Sequence, residues 1–194
     1  GVEVEGEWEH GGVVGIVGSL AANHPPTYPL PMLLPDEFLT PVNPKTAQTV
    51  ESIVKVAKGD GEWMVANGNC QLLSKFLPPS SVDLLYADIP YNSGHSFGDD
   101  YDDRWAWHHG SDEVYRAASE KVRKAVDATC LVHGDSMGAY LLEIGSMLSA
   151  NGACAVPLPS LKPTASLWVQ CDTVAAPYLR LLLDALFGVE RWRN

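Results

Sequence analysis

The chain has 194 residues, 46% of them hydrophobic, which suffices for one folded domain with a buried core and argues against a disordered polypeptide. Its formal net charge of -11 argues against a surface that grips nucleic acid by itself, because phosphate binding is driven largely by Lys and Arg releasing counterions. Cys70, Cys130, Cys154 and Cys171 have no Cys-x-x-Cys spacing, and the apolar stretch Val13 to Ala22 is broken by glycines without a positive flank, so neither a disulfide frame, a zinc site, a signal peptide nor a membrane span is predicted.

Those features together predict a cytoplasmic protein with reduced, buried thiols. From Gly1 to about Asn43 the sequence is glycine-rich and then proline-rich, with Pro25, Pro26, Pro29, Pro31, Pro35, Pro41 and Pro44 preventing any long helix. Residues 1–45 are therefore expected to form an extended or wrapping arm, and residues 46–194 the folded unit. Thr46 to Lys58 places Val50, Ile53, Val54 and Ala57 on one helix face, closed by Gly59-Asp60-Gly61. Trp63 to Ala66 reads as a strand, Gln71 to Phe76 as a helix and Val82 to Ala87 as a second strand, nearly all apolar as buried parallel strands are. Residues 92–112 lack periodicity and predict a long loop. Glu113 to Ala128 and Ser136 to Leu148 read as helices, and Ala150 to Pro163 as a surface loop. Ser166 to Cys171 reads as a third strand and Pro177 to Phe187 as an amphipathic helix closed by Gly188. The alternation implies an α/β fold with a parallel sheet covered on both faces.

The second strand delivers Asp88 to its carboxyl end, the edge at which open α/β sheets bind ligands. Pro90 has no amide hydrogen and Gly94 invites a turn, so Ile89-Pro90-Tyr91-Asn92-Ser93-Gly94 must bend and present Tyr91 and Asn92 outward. This Asp88-to-Gly94 segment resembles the Asp-Pro-Pro-Tyr-Asn-Thr-Gly signature of the DNA adenine-N6 and cytosine-N4 amino-methyltransferases. Upstream, Gly68-Asn69-Cys70-Gln71-Leu72-Leu73 is similar to a second element of that family. Downstream, Leu161-Lys162-Pro163-Thr164-Ala165-Ser166-Leu167, Cys171-Asp172 and Tyr178 to Gly188 continue the likeness in order. It covers about residues 62–194.

The resemblance implies a Rossmann-like, S-adenosylmethionine-dependent methyltransferase fold, incomplete at its carboxyl end, because the family's Phe-x-Gly-x-Gly cofactor loop and target-recognition region would follow Asn194. Gly1 in place of an initiating methionine also leads to the expectation of a fragment. Gly15-Ile16-Val17-Gly18-Ser19 is a poor stand-in for the cofactor loop, lacking the tight Gly-x-Gly and lying on the wrong side for this order. The family likeness assigns catalysis to Asp88, Ile89, Pro90 and Tyr91, cofactor contacts to Asn69, Asp88 and Asn92, and the target base to Tyr91, Asn92, Phe97 and Tyr101, with Trp105 a further aromatic candidate. It implies DNA with a flipped base as substrate, adenine N6 ahead of cytosine N4, a restriction subunit or a second copy as partners, and no metal or membrane.

The chemistry explains the residue types. An exocyclic base amine is a poor nucleophile because its lone pair is delocalised into the ring. The Asp88 carboxylate and the Ile89 carbonyl can each accept one amine hydrogen and so localise that pair, while Tyr91 stacks on the base. Two positions depart from the family: Ile89 stands where it has a proline and Asn69 where it has an aspartate. With the absent glycine loop, these departures favour the alternative, a catalytically inactive subunit or relic acting as an interaction module. The acidic run Asp99, Asp100, Asp102 and Asp103 reads as solvated. His108, His109 and His133 read as surface or packing residues, and Leu179, Leu182, Leu183 and Leu186 as a core stripe.

Overall fold

The computed structural model describes residues 13–17, 63–67, 74–95 and 103–193. Strands β1 (Val13–Val17) and β2 (Trp63–Asn67) pair in parallel, Val13 opposite Trp63. Strand β3 (Val82–Asp88) is followed by helices α1 (His109–Ala117), α2 (Glu120–His133) and α3 (Asp135–Met147). The chain then forms β4 (Leu161–Gln170) and α4 (Ala176–Phe187). β3 and β4 are also parallel, which requires a long crossover, and α1 to α3 provide it. The fold is mixed α/β. Among the described residues no helix is long and apolar enough to cross a membrane.

The helix boundaries follow from capping. The single helix expected over Glu113 to Ala128 is two helices. Ser119 donates its amide to the Cys154 carbonyl at 3.2 Å, which takes that amide out of any helix ladder, and its hydroxyl accepts from the Val122 amide at 3.3 Å to start α2. α1 begins earlier than expected because His108 is its cap: Nδ1 accepts from the Gly110 amide at 3.0 Å, and the Ser111 hydroxyl accepts from the His108 amide. Gly188, at φ 98°, ends α4 where expected.

Two further expectations change. Part of the arm, Val13–Val17, is a strand, so Gly15-Ile16-Val17 belongs to a sheet rather than to a loop. β4 starts at Leu161, five residues early, and its register slips between Val82 and Leu84; Pro163, which has no amide to donate, lies in the slipped stretch. Of the helix expected over Gln71 to Phe76, Ser74–Phe76 is a single 3-10 turn. Helix Thr46 to Lys58 lies outside the described residues.

One core holds the described helices to β3 and β4. Leu85, Ala87, Leu167 and Val169 pack against buried Val122 and Val126 of α2, Tyr140, Leu141 and Ile144 of α3, and Leu179, Leu182 and Leu186 of α4. Each fully buried aliphatic side chain contributes about 1.5–3 kcal/mol. Only that face of the β3–β4 pair is covered among the described residues. On the other, Leu84, Tyr86 and Trp168 are 58%, 60% and 62% exposed.

α3 comes close to its neighbours because Gly145 has no side chain. A Cβ there would stand 2.8 Å from Cys154 Sγ and 3.3 Å from Leu182 Cδ1, and both side chains are fully buried. Cys154 is further held by its thiol, 3.3 Å from the Leu142 carbonyl, and burial pushes that thiol up to about 12, so it stays neutral. Gly145→Ala is expected to cost a net ~1–2 kcal/mol, overpacking outweighing the gain in helix propensity. A lower urea midpoint is the sign; an unchanged midpoint would mean that the contact relaxes freely.

Candidate functional site

β3 and β4 end together: their last residues, Asp88 and Gln170, are register partners at the carboxyl edge, and both are exposed. The next residue, Ile89, is buried in the core and anchors the chain as it leaves the strand. Pro90 then turns the backbone, and its carbonyl accepts a hydrogen bond from the Tyr140 hydroxyl of α3 at 2.6 Å. Asn92 and Gly94 take φ values of 54° and 73°, the left-handed region that asparagine tolerates and glycine favours. The bend expected from Pro90 and Gly94 is therefore present.

Asp103 holds this bend in place. Its carboxylate accepts from the Asn92 amide at 3.0 Å and the Ser93 amide at 2.7 Å, and from the Trp105 indole at 3.2 Å. Backbone bonds from Gly94 to the Asp103 carbonyl and from the Asp103 amide to the His95 carbonyl close the arrangement like a short ladder. Burial alone would raise this carboxyl, yet the Ser93 amide and hydroxyl, the Trp105 indole and the Asn92 amide hold it below the usual aspartate range. Asp103, 2% exposed, is thus a structural anchor, which corrects its expected place in a solvated acidic run. Asp99, Asp100 and Asp102 lie outside the described residues. Among the described residues no three His, Cys, Asp or Glu side chains are grouped to hold a metal.

On the exposed side, four side chains form a directed chain of hydrogen bonds. The Tyr86 hydroxyl donates to Gln170 Oε1, Gln170 Nε2 donates to the Tyr91 hydroxyl at 2.7 Å, and that hydroxyl donates to Asp88 Oδ1 at 2.9 Å. Gln170 alone would favour the Tyr91 phenolate, but Asp88, as acceptor and as a nearby negative charge, leaves the phenol above its usual range. Tyr91 therefore donates to Asp88 throughout the neutral pH range.

The structure thus brings Asp88, Ile89, Pro90, Tyr91 and Asn92 to one edge. Asn92 is half-buried and its amide lies 3.6 Å from Met137 Sδ. The Trp105 ring packs edge-on against Tyr140 at 5.7 Å and its indole N–H donates to Asp103. Asn69, Phe97 and Tyr101 lie outside the described residues. Tyr140, Asp103 and Gln170 escaped sequence reasoning; only Tyr140 carried a signal, a hydroxyl on an otherwise apolar helix face that needs a partner. His133 packs edge-on against Tyr178, as a packing residue should. Comparison with protein-family models, characterised proteins and solved structures finds no match to this chain.

Proposed function

We propose that this chain carries the catalytic segment of an S-adenosylmethionine-dependent DNA amino-methyltransferase with a Rossmann-like fold, methylating adenine N6 or, as the alternative amine, cytosine N4. The observation that carries the reading is the exposed Asp88 carboxylate at the carboxyl end of a parallel strand, followed by a bend fixed from beneath by Asp103 and Tyr140. Such an edge is where α/β sheets place ligands.

The chemistry asked of these residues is positional. Asp88 accepts one hydrogen of the base amine. Because the Pro90 carbonyl is engaged by Tyr140, the backbone carbonyl assigned to the second hydrogen is that of Ile89. Two acceptors on one nitrogen draw its lone pair out of conjugation, and Asp88 takes up the proton that the amine loses on methylation. S-adenosylmethionine would supply an electrophilic methyl group on a sulfonium; Asn92, beside Asp88, is the described residue that would contact it, with Asp88 turned to the base amine.

A second reading, a non-catalytic interaction module, is favoured by the net charge of -11 and by the exposed Leu84, Tyr86 and Trp168. Transfer of labelled methyl groups from S-adenosylmethionine to unmethylated DNA separates the two, assayed with this chain and with the full product of its gene. Transfer that Asp88→Ala abolishes supports the enzyme; absence of both cofactor binding and transfer in the full product overturns it and leaves the interaction module.

A further inference from the structure

The chain of hydrogen bonds on the exposed side of β3 and β4 has one direction, and one residue sets it. Tyr86, Gln170 and Tyr91 each pass a hydrogen toward the Asp88 carboxylate. Gln170 is the only member with two distinct ends. Its oxygen faces the Tyr86 hydroxyl and its nitrogen faces Tyr91; with the amide reversed each tyrosine would still find a partner, but the Tyr91 hydrogen would go to the glutamine oxygen instead of to Asp88.

That orientation matters at Tyr91. A phenol oxygen that accepts from Gln170 Nε2 must send its own hydrogen elsewhere, and the acceptor in reach is Asp88 Oδ1 at 2.9 Å. Bonds in such a series polarise one another, so each strengthens the next. The pairing of Asp88 with Gln170 at the ends of adjacent strands fixes the spacing, since neither strand can slide without breaking the ladder. Gln170 thereby commits one oxygen of Asp88 to the protein.

We infer that Gln170 is a positioning residue: by holding the Tyr91 hydroxyl on Asp88 Oδ1, it leaves Oδ2 as the oxygen offered to the substrate's N–H. The inference rests on the amino-methyltransferase reading for what the substrate is, but the placement of Tyr91 does not depend on it. A glutamine at this point does what a charged residue could not. A carboxylate would accept from Tyr91 and turn its hydrogen away from Asp88; an ammonium would neutralise the acceptor.

Two measurements test it. The first needs no activity: tyrosines carrying a 13C label at Cζ are titrated by NMR in the chain, with Tyr91→Phe identifying the signal. In Gln170→Leu the contact that favours the phenolate is lost. If Tyr91 stays on Asp88, its titration must move further up. If Gln170 positions it, Tyr91 leaves Asp88 and its titration falls toward that of a free phenol, near ~10. The fall is expected; a rise or no change overturns the inference. Tyr86→Phe, which releases the other end of the amide from an exposed site, is expected to move the signal in the same direction by less.

The second measurement is methyl transfer by the full product of the gene. Gln170→Leu is expected to lower kcat by about 10–100-fold while KM for cofactor and DNA changes by less than ~3-fold, the pattern of a misplaced acceptor. Unchanged kcat, beside an inactive Asp88→Ala, overturns the positioning role and leaves the enzyme standing. If the unaltered protein transfers no methyl group, the functional reading fails, and the titration alone decides where Gln170 puts Tyr91.

Discussion

Asp103→Ala is expected to destabilise the chain by about 2–4 kcal/mol and to release the bend after Asp88. Three N–H donors lose their acceptor at once, the Asn92 and Ser93 amides and the Trp105 indole, together with the Ser93 hydroxyl. A buried donor left without a partner costs about 1–3 kcal/mol, and bonds to a charged acceptor lie at the upper end. The sum is less than three times that figure, because the bend is only partly buried and water can reach Ser93. Urea unfolding measures the loss, and hydrogen exchange at Asn92 and Ser93 locates it. Unchanged midpoint and unchanged protection would remove Asp103 from the role of anchor.

The same residue makes a pH prediction with a definite sign. Its carboxyl is held below the ordinary aspartate range in the folded chain, so the unfolded chain binds the proton more readily. Its contribution is complete above the unfolded value, near ~3.9, and is lost as pH falls through the lower folded value. Between pH 7 and pH 5 this group should contribute no slope. Below pH 4 the native chain should lose stability more steeply than Asp103→Ala does.

How much of this was legible depends on how far apart the deciding residues lie. α3 was expected over Ser136 to Leu148 and runs over Asp135–Met147, because its apolar positions and the preceding Gly134 are local signals. α4 and its closure by Gly188 were legible for the same reason. The break before α2 was not, since it rests on Ser119 meeting the carbonyl of Cys154 across the fold. β1 was hidden in a glycine-rich arm, and its partner β2 is remote in sequence. In the site, Asp88 and the bend were readable from a strand that ends in Asp-Ile-Pro-Tyr-Asn. Asp103 was not: within a run of aspartates composition predicts solvation, and only the fold shows that Asp103 is buried. Gln170 needed the β3–β4 register, which no local pattern reports.

Asp88→Asn is expected to leave the fold intact and to lower methyl transfer by at least about 10²-fold, the scale on which a single preorganised electrostatic contact acts. Asp88 is exposed and its only described side-chain partner is Tyr91, so the change in stability should stay within roughly 0.5 kcal/mol. The loss of function has a geometric cause. An asparagine offers one acceptor and one donor where the aspartate offers two acceptors. If its oxygen takes the place of Oδ1, Tyr91 remains bonded and an NH2 group meets the amine of the base, donor against donor. If the amide turns over, the oxygen faces the amine but Tyr91 points its hydrogen at an NH2 group while Gln170 still donates to its oxygen. Neither orientation serves both partners, and the negative charge that draws off the amine's proton is gone in each. Labelled methyl transfer and a thermal melt on the same preparation give the two readings. Transfer at the unaltered rate with an unaltered melt would mean that the carboxylate at this edge is not the group on which the reaction depends.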